Sequence, residues 1–313
     1  MGNAIRVVLL NWNERKQAEH CLDRLHASES VDLDVLVVDN GSTGDDAERF
    51  RERIGADRVV ALPENTGYAG GMNAGLRFWR SRPGPEPILL ITPDASVATD
   101  TLRRLAAELE AHPDVGIVGP LVIQSSADGG RLSAGGWIDP RRVSARFLDE
   151  PLADRPYPVD WIDGCCMLIR PSVLDSVEPF DDRYFIYYEE TDLCARVVRA
   201  GWEIRVVPAA AVHHPKAPGT LPSYYFYYMV RNRYLFWRKN FGIGAPRVAA
   251  VVAGLTVRAW ASVAKSLAQP GRRRDWRARL RDARLQLRAA RVGTLDHLNA
   301  RYGRIPESRM PRS

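Results

Sequence analysis

Three carboxylates fall within four residues at Glu189, Glu190 and Asp192, directly after a stretch rich in aromatic side chains. Placing several charged groups next to apolar side chains that tend to be buried costs free energy, and carboxylates with a purely structural role are rarely placed this way. If the stretch opens a helix, Glu189 and Asp192 share one face, whereas Glu190 can approach a ligand alone. The helix dipole also favours acids at a helix start. The spacing therefore indicates either a functional site or a helix N-terminus.

Polar side chains also lie at the carboxyl ends of four predicted strands early in the chain. They are Asn11 with Asn13, Asp39 with Ser42, the glycine-rich residues 64–75, and Thr92 with Asp94. The carboxyl ends of parallel strands meet at one edge of a sheet, where such proteins bind ligands. A single Asp at a strand end is more often a turn former or a helix cap. Four polar ends in succession predict a binding site.

Asp94 follows a buried strand and a proline that fixes the turn. A carboxylate there can hold Mg²⁺ or Mn²⁺ shared with substrate phosphates, because these ions take only one or two protein carboxylates. An ordinary turn Asp is the alternative. His213 and His214 follow an apolar run farther along, and one imidazole would complete the protein's share of a divalent site. Adjacent histidines are more often surface or core residues, so the pair alone is weakly informative.

The glycine-rich stretch does not match the usual phosphate-binding fingerprints. Gly67, Gly70, Gly71 and Gly75 lack the G-x-G-x-x-G spacing after the first strand, and the chain has no G-K-[ST] sequence. A dinucleotide dehydrogenase and a P-loop NTPase are therefore both disfavoured. Glycines before a helix still let backbone N–H groups approach an anion.

The elements that would position these groups follow from hydrophobic periodicity. Apolar runs at residues 5–10, 33–38, 59–62 and 88–91 alternate with helical patterns. This alternation predicts an α/β fold with a parallel sheet covered by helices on both faces. Further along, the sequence predicts a strand over 115–122, a long surface excursion over 125–157 and a strand over 159–169 with a bulge at Asp163 and Gly164.

The chain has 313 residues, of which 45% are hydrophobic and 26% charged, enough for one large domain or two modest ones. Its first residues do not read as a signal peptide, so we expect a cytoplasmic protein. The four cysteines include no C-x-x-C pair, which disfavours a zinc site or a disulfide framework.

The net charge of +6 is unevenly distributed. Residues 243–313 carry 16 Lys and Arg against 4 Asp and Glu, whereas the rest of the chain is acidic. With apolar side chains interleaved, residues 243–291 predict a basic amphipathic helix on an anionic membrane surface. Nucleic acid is disfavoured because no binding fold for it is recognisable. The apolar run at 248–257 is too short for the ~20 residues that span a bilayer.

Several segments, in this order and spacing, resemble glycosyltransferase family 2, the GT-A type, and within it the rhamnosyltransferase-like bacterial enzymes. They are residues 37–42 (VVDNGS), 65–75 (NTGYAGGMNAG), 92–94 (TPD), 180–185 (FDDRYF), 188–193 (YEETDL), 213–214 (HH) and 231–233 (RNR). The resemblance covers about residues 4–240. It implies a GT-A fold: a catalytic domain over 1–240, with a nucleotide-sugar half (1–123) and an acceptor half (124–240), followed by a helical region over 241–313.

The resemblance also implies an inverting, metal-dependent glycosyltransferase with a dTDP- or UDP-sugar donor and Mg²⁺ or Mn²⁺. Asp94 with His213 or His214 would hold the metal, and Glu190 would be the base that deprotonates the acceptor. The implied donor-binding residues are Asn11, Asn13, Asp39, Ser42, Asn65, Gly67, Gly70, Gly71, Asn73, Thr92 and Asp94. The implied acceptor-side residues are Trp161, Asp163, Gly164, Tyr188 and Arg231.

Two departures from the family pattern leave alternatives open. Relatives often have two acids or Asn-Pro-Asp where this chain has Thr92-Pro93-Asp94, and they usually have Asp where it has Glu190. Glu189 or Asp192 is then an alternative base. A rhamnose-like sugar and a cell-envelope glycan or lipid-linked acceptor are favoured. A small natural-product acceptor, a noncatalytic nucleotide-sugar-binding or membrane scaffold, and a homodimer remain open, as does peripheral attachment to the inner face of the plasma membrane.

Overall fold

The computed structural model describes residues 4–124, 131–215, 221–268 and 276–311. The chain divides into two compact units. The first unit comprises Met1–Ile138, Ala145–Asp182 and Glu189–Ala217, and the second comprises Asp139–Ser144, Arg183–Tyr188 and Pro218–Ser313. Residues 218–240, which the sequence prediction placed in the catalytic domain, pack in the second unit.

A ten-stranded sheet forms the centre of the first unit. Its strands are β1 (Ala4–Asn11), β2 (Asp32–Asp39), β3 (Val59–Ala61), β4 (Ile88–Ile91), β5 (Ser96–Val97), β6 (Val115–Gln124), β7 (Arg131–Ser133), β10 (Tyr157–Pro158), β11 (Cys166–Ile169) and β12 (Glu203–His213). The main order is β10-β12-β6-β11-β4-β1-β2-β3. The pairs β1–β2, β1–β4, β2–β3 and β6–β12 are parallel, and β11 is antiparallel to both β4 and β6. The sheet is therefore mixed: β1 to β4 are parallel as predicted, whereas β5, β7, β10 and β11 pair antiparallel to their neighbours.

Helices cover both faces of this sheet, as predicted. They are α1 (Arg15–His26), α2 (Asp46–Ile54), α3 (Gly67–Arg80), α4 (Thr101–Ala111), α5 (Val173–Ser176) and α6 (Glu189–Arg199). Alternate residues of β1 belong to two separate core clusters: Val7 packs with α1, α2 and α4, and Val8 packs with α3 and α6. Burial on both faces explains why the strand reads as a continuous apolar run.

The glycines of α3 allow this helix to lie close to the sheet. A Cβ atom on Gly75 would lie 2.3 Å from Val8 Cγ1, and one on Gly71 would lie 2.4 Å from Leu10 Cδ1. Side chains at these two positions would push α3 away from β1. The glycine-rich stretch is therefore largely helical, since α3 already begins at Gly67.

The predicted excursion over 125–157 contains β7, a separate pair of strands, β8 (Gly136–Asp139) and β9 (Ser144–Phe147), and β10. Residues 125–130 lie outside the described residues. The predicted bulge at Asp163 and Gly164 was wrong, because β11 begins only at Cys166 and the two residues lie in the preceding turn region.

The second unit contains three long helices, α7 (Ser223–Phe241), α8 (Ala245–Ala268) and α9 (Trp276–Leu298), with α9 packed against α7 and α8. Among the described residues, α8 is the one helix whose length and composition would let it cross a membrane, and it is largely exposed. The apolar run at 248–257 is as short as predicted, but α8 extends beyond it on both sides, from Ala245 to Ala268.

Candidate active site

Asn11 and Asp39 form a buried polar pair at the carboxyl edge of the sheet. They are register partners at the ends of β1 and β2, and their side chains are 0% and 4% exposed. Asn11 Nδ2 donates to Asp39 Oδ1 at 2.9 Å, and Ser42 Oγ donates to the same oxygen at 2.5 Å. Asn11 Oδ1 is buried without a hydrogen-bond partner in the described part of the chain. The pair therefore offers acceptor oxygens to a ligand that carries N–H groups.

Asn13 joins the loops that follow β1 and β2. Its backbone is left-handed, with φ 57°. Its N–H donates to Ser42 Oγ at 2.8 Å, and its Oδ1 accepts from the N–H of Thr43, also at 2.8 Å. The predicted donor residues Asn13 and Ser42 are thus brought together with Asp39.

The beginning of α3 is held by amide side chains. Asn40, 2% exposed, accepts from Thr66 N at 3.0 Å and donates to Gly67 O at 2.9 Å. Asn65 Oδ1 accepts from Gly67 N at 2.8 Å. A Cβ atom on Gly70 would lie 2.6 Å from the Thr66 side chain. Close packing thus accounts for Gly70, and a left-handed backbone with φ 76° accounts for Gly67. The contact of these glycines with a donor stays a prediction.

Asn73 is turned toward a different segment. Its Nδ2 donates to Phe180 O at 2.8 Å and Asp182 Oδ1 at 2.7 Å, and its Oδ1 accepts from Phe180 N at 3.0 Å. These bonds tie α3 to the chain that leads toward α6. The predicted donor contact of Asn73 is untested by this geometry.

Asp94 and His214 form an ion pair, with 3.1 Å between Oδ2 and Nε2. Thr92 Oγ1 donates to Asp94 Oδ1 at 2.8 Å. Burial alone would raise the pKa of Asp94, but the hydrogen bond and charge of His214 hold it below its usual value. Burial likewise opposes the charged form of His214, but Asp94 raises the pKa of this imidazole. His213 is exposed and pairs with Ser96, so the geometry favours His214 of the two histidines.

The Asp94–His214 pair is suited to sharing one divalent ion. Two ligands about 2.1 Å from such an ion and at right angles lie about 3 Å apart, close to the observed separation. Carboxylate and imidazole are both ligands that Mn²⁺ accepts. Within the described residues, no group of three or more His, Cys, Asp or Glu is arranged around a metal position. An ion here would therefore take its other ligands from elsewhere, as substrate phosphates and water provide.

Glu190 lies beside Gly164 and Tyr68 in the first turn of α6. A Cβ atom on Gly164 would lie 3.3 Å from both Glu190 Cβ and Tyr68 Oη, and Tyr68 donates to Gly164 O at 2.6 Å. Burial raises the pKa of Glu190 to about 7; hydrogen bonds with its own backbone and Thr191 oppose this increase, and the charge of Asp163 adds to it. The side chain remains partly exposed. Glu190 can therefore bind and release a proton near neutral pH.

Glu189 and Asp192 have different environments. Glu189 is 5% exposed, and its Oε2 has no hydrogen-bond partner among the described residues. Burial, together with the charge of Glu190, raises the pKa of Glu189 far above its usual value. Asp192 is fully buried and bonded to Arg196 Nε at 2.8 Å. Of the three carboxylates, Glu190 has the best access to a substrate.

The predicted acceptor-side residues fall into both units. Asp163 and Gly164 lie in the first unit next to Glu190, and Asp163 Oδ1 accepts from Cys165 N at 3.1 Å. Trp161 is 3% exposed, with its ring 4.5 Å from that of Phe147. Tyr188 and Arg231 belong to the second unit, where Arg231 is buried.

Sequence reasoning missed three residues of this edge. Asn40 was noted only as part of a motif, although an amide directly after a strand-end Asp is a usual turn former. Tyr68 stood unremarked among the glycines. Glu14 is half-buried and lies near Asp94. Burial raises the pKa of Glu14, and the negative charge of Asp94 raises it further. No local pattern distinguished it from an ordinary acid at a helix start.

Residues 6–177 match the family model described as Glycosyl transferase family 2. The N-acetylglucosaminyl-diphospho-decaprenol L-rhamnosyltransferase of Mycobacterium tuberculosis is 28% identical over 241 residues, which are 70% of this chain and 78% of the relative. The low-salt glycan biosynthesis hexosyltransferase Agl10 of Haloferax volcanii is 23% identical over 268 residues, covering 83% of this chain and 84% of the relative.

Solved structures show the same fold. A mannosyltransferase from Pyrobaculum calidifontis in complex with GDP-Man and Mn²⁺ superposes with a TM-score of 0.56 at 17% identity, covering 93% of this chain and 86% of that one. TarS 1-349 of S. aureus in complex with UDP-GlcNAc gives a TM-score of 0.52 at 16% identity, covering 95% and 89%. The predicted GT-A fold is confirmed.

Proposed function

Because the chain belongs to glycosyltransferase family 2 and is a rhamnosyltransferase-like glycosyltransferase, we propose that it transfers a rhamnose-like sugar from a dTDP- or UDP-sugar to a hydroxyl acceptor with inversion. The observation that carries the proposal is Glu190, a partly exposed carboxylate with a pKa of about 7 beside the turn that precedes β11. A rhamnosyltransferase among the relatives supports the choice of sugar.

The donor nucleotide would lie against the Asn11–Asp39 pair. Uracil and thymine both present an N–H between two carbonyl groups, and Asp39 would accept from that N–H. Asn11 is held in place by its bond to Asp39. Because two buried strands fix both side chains, this part of the site needs little reorganisation on binding.

Asp94 and His214 would hold Mg²⁺ or Mn²⁺ at the donor diphosphate. When bound, the ion supplies positive charge that offsets the charge developing on the leaving diphosphate. The Pyrobaculum mannosyltransferase, whose complex with GDP-Man contains Mn²⁺, supports this assignment.

The transfer step is a single displacement at the anomeric carbon. The acceptor oxygen forms the new bond as the bond from that carbon to the diphosphate breaks, and the electron pair of the broken bond leaves with the diphosphate oxygen. Glu190 takes the proton of the acceptor hydroxyl as the hydroxyl oxygen attacks. Glu189, kept neutral by burial, adds no second negative charge next to this base.

The rate should follow the ionisation of Glu190. Only its deprotonated form accepts a proton, so kcat is expected to fall about tenfold per pH unit below about pH 7 and to level off above it. Initial rates at saturating donor and acceptor between pH 5.5 and 8.5 measure this, with donor binding followed in parallel as a control. A rate that stays constant or falls across this range would contradict the role of Glu190.

Release of nucleoside diphosphate from a panel of donors tests the activity itself. With Mg²⁺ or Mn²⁺ and a hydroxyl acceptor, dTDP- or UDP-sugars are expected to be turned over, and rhamnose-type donors fastest. A noncatalytic nucleotide-sugar-binding or scaffold protein would bind donors and release no diphosphate.

The acceptor we favour is lipid-linked, and it is presented at the inner face of the plasma membrane. The mycobacterial relative is named for a decaprenol-linked substrate. Here the largely exposed α8 and the basic residues of 243–291 would lie on the anionic membrane surface. Of this predicted surface, residues 269–275 lie outside the described residues. A small natural-product acceptor is the alternative, and it requires no membrane surface.

The exposed face of α8 gives a direct test of membrane attachment. Val257 is 67% exposed, and Val257→Glu adds a negative charge to the apolar face. We expect vesicle-bound protein to fall severalfold on vesicles with anionic lipid, with the unfolding temperature unchanged. Val198→Glu, at a 40% exposed valine of α6, is the matched control. Equal binding of the Val257 variant and the native chain in vesicle sedimentation would disprove attachment through this face.

A further inference from the structure

The loop Arg183–Tyr188, which belongs to the second unit, has an unusual backbone. Phe185, Tyr187 and Tyr188 are left-handed, with φ values of 68°, 68° and 73°. Large side chains rarely adopt this conformation, and several within four residues persist only where the surroundings over-determine them. The loop leads without interruption into α6, whose second residue is Glu190.

The two N–H groups of the Asn232 side chain, on α7, face three carbonyl oxygens of this loop. Its Nδ2 lies 3.0 Å from Tyr184 O, 2.8 Å from Ile186 O and 2.7 Å from Tyr187 O. The side chain is fully buried. The left-handed loop lies outside regular secondary structure, so its carbonyl groups need other hydrogen-bond partners. The Asn232 amide provides them.

Arg231, the preceding residue, completes the arrangement. Its guanidinium donates to Arg183 O at 2.9 Å and Tyr184 O at 2.7 Å. It also donates to Asn232 Oδ1, at 2.9 Å from Nε, which turns the amide nitrogen of Asn232 toward the loop. Arg231 is 1% exposed, so these bonds form away from competing water.

Aromatic contacts fix the same loop against α7. The ring of Phe185 stacks on Tyr228 at 5.4 Å, and the ring of Tyr187 meets Tyr225 edge-on at 5.2 Å. The backbone N–H of Gly303 donates to Arg183 O at 2.9 Å. The left-handed residues are thus held both through their side chains and through the main-chain carbonyls of the loop.

We propose that Arg231 and Asn232 are positioning residues for the transfer reaction. They hold the left-handed course of residues 185–188, the residues that directly precede Glu189 and Glu190 in the chain. This inference rests on the proposed function of Glu190 as base. A base displaced by about 1 Å can lose roughly 10²-fold in rate even when every reacting group is present.

Asn232→Asp tests the proposal with little change in size. A carboxylate cannot donate to the three carbonyls and repels them. We expect kcat to fall by roughly 10²-fold, the donor KM to stay within twofold, and amide hydrogen exchange to increase in a peptide covering residues 183–190. Asn240→Asp on the same helix is the control, because the Asn240 amide donates to Phe236 O of its own helix. It should change neither quantity.

A second-site variant separates positioning from general loss of structure. In Asn232→Ala, Tyr187→Gly removes the steric cost of the left-handed backbone at that position. We expect the double variant to recover part of the kcat lost in Asn232→Ala. If Asn232 only stabilises the unit, Tyr187→Gly should not restore kcat. A double variant no faster than Asn232→Ala would therefore count against the proposal.

The outcomes distinguish this proposal from the proposed function. Unchanged exchange over residues 183–190 in Asn232→Asp would overturn it whatever the activity, because exchange requires no turnover. Faster exchange with native kcat would overturn it as well. Native transfer by Glu190→Gln would instead remove the base assignment, and the proposal with it, even where exchange responds as expected.

Discussion

Replacing Glu190 by Gln should lower kcat by roughly 10²–10⁴-fold, the range that general acid–base groups contribute. The amide keeps the size and polarity of the side chain but cannot accept the acceptor's proton. Donor binding should stay near native, because the predicted nucleotide contacts lie with Asn11 and Asp39. Single-turnover transfer and calorimetric titration with donor measure the two quantities separately.

Glu189→Gln is the matched control for this experiment. Burial already keeps Glu189 protonated, so an amide resembles its native neutral form. Its effect on kcat should be small. If the Glu189 variant were inactive and the Glu190 variant active, the two roles would have to be exchanged.

Asp94→Asn should lower kcat by roughly 10²–10³-fold, the scale of losing one strong electrostatic stabiliser of the transition state. The amide lacks the charge that an ion at the donor diphosphate requires. His214→Ala should give a similar loss, because its imidazole faces Asp94 at 3.1 Å. Two quantities are measured for each variant. Calorimetry gives the dependence of nucleotide binding on Mn²⁺, and steady-state assays give kcat.

His213→Ala serves as the control here. His213 is exposed and one residue away on the strand, so its removal should leave both quantities near native. Mn²⁺-dependent binding that survives in Asp94→Asn and fails in His213→Ala would move the ion to the other histidine and away from Asp94.

The polar ends of the first strands were predictable because each strand is buried on both faces. Continuous apolar runs such as residues 5–10 stop where the chain leaves the sheet, so Asn11 and Asp39 stand out by contrast. Parallel pairing then places them side by side. Local pattern and topology agree at this edge, and the sequence was sufficient to locate it.

Other features depend on contacts between distant segments. The choice between His213 and His214 depends on the register at the end of β12. The roles of Arg231 and Asn232 depend on carbonyls 45 to 48 residues earlier in the chain. The sequence prediction considered only the uninterrupted apolar run at 248–257, whereas α8 continues past Arg258 to Ala268. Periodicity within a short window cannot supply these facts.

The reversed strand β11 has a consequence for engineering. It runs between β4 and β6 and pairs through Cys166–Ile169 alone, so the segment between β6 and β11 returns to the edge where β4 ends. Chimeras that exchange this segment would keep the pairing of β1, β2 and β4, at or just beyond whose ends Asn11, Asp39 and Asp94 lie. They would have to retain β7 and β10, because these two strands of the segment pair with β6 and β12.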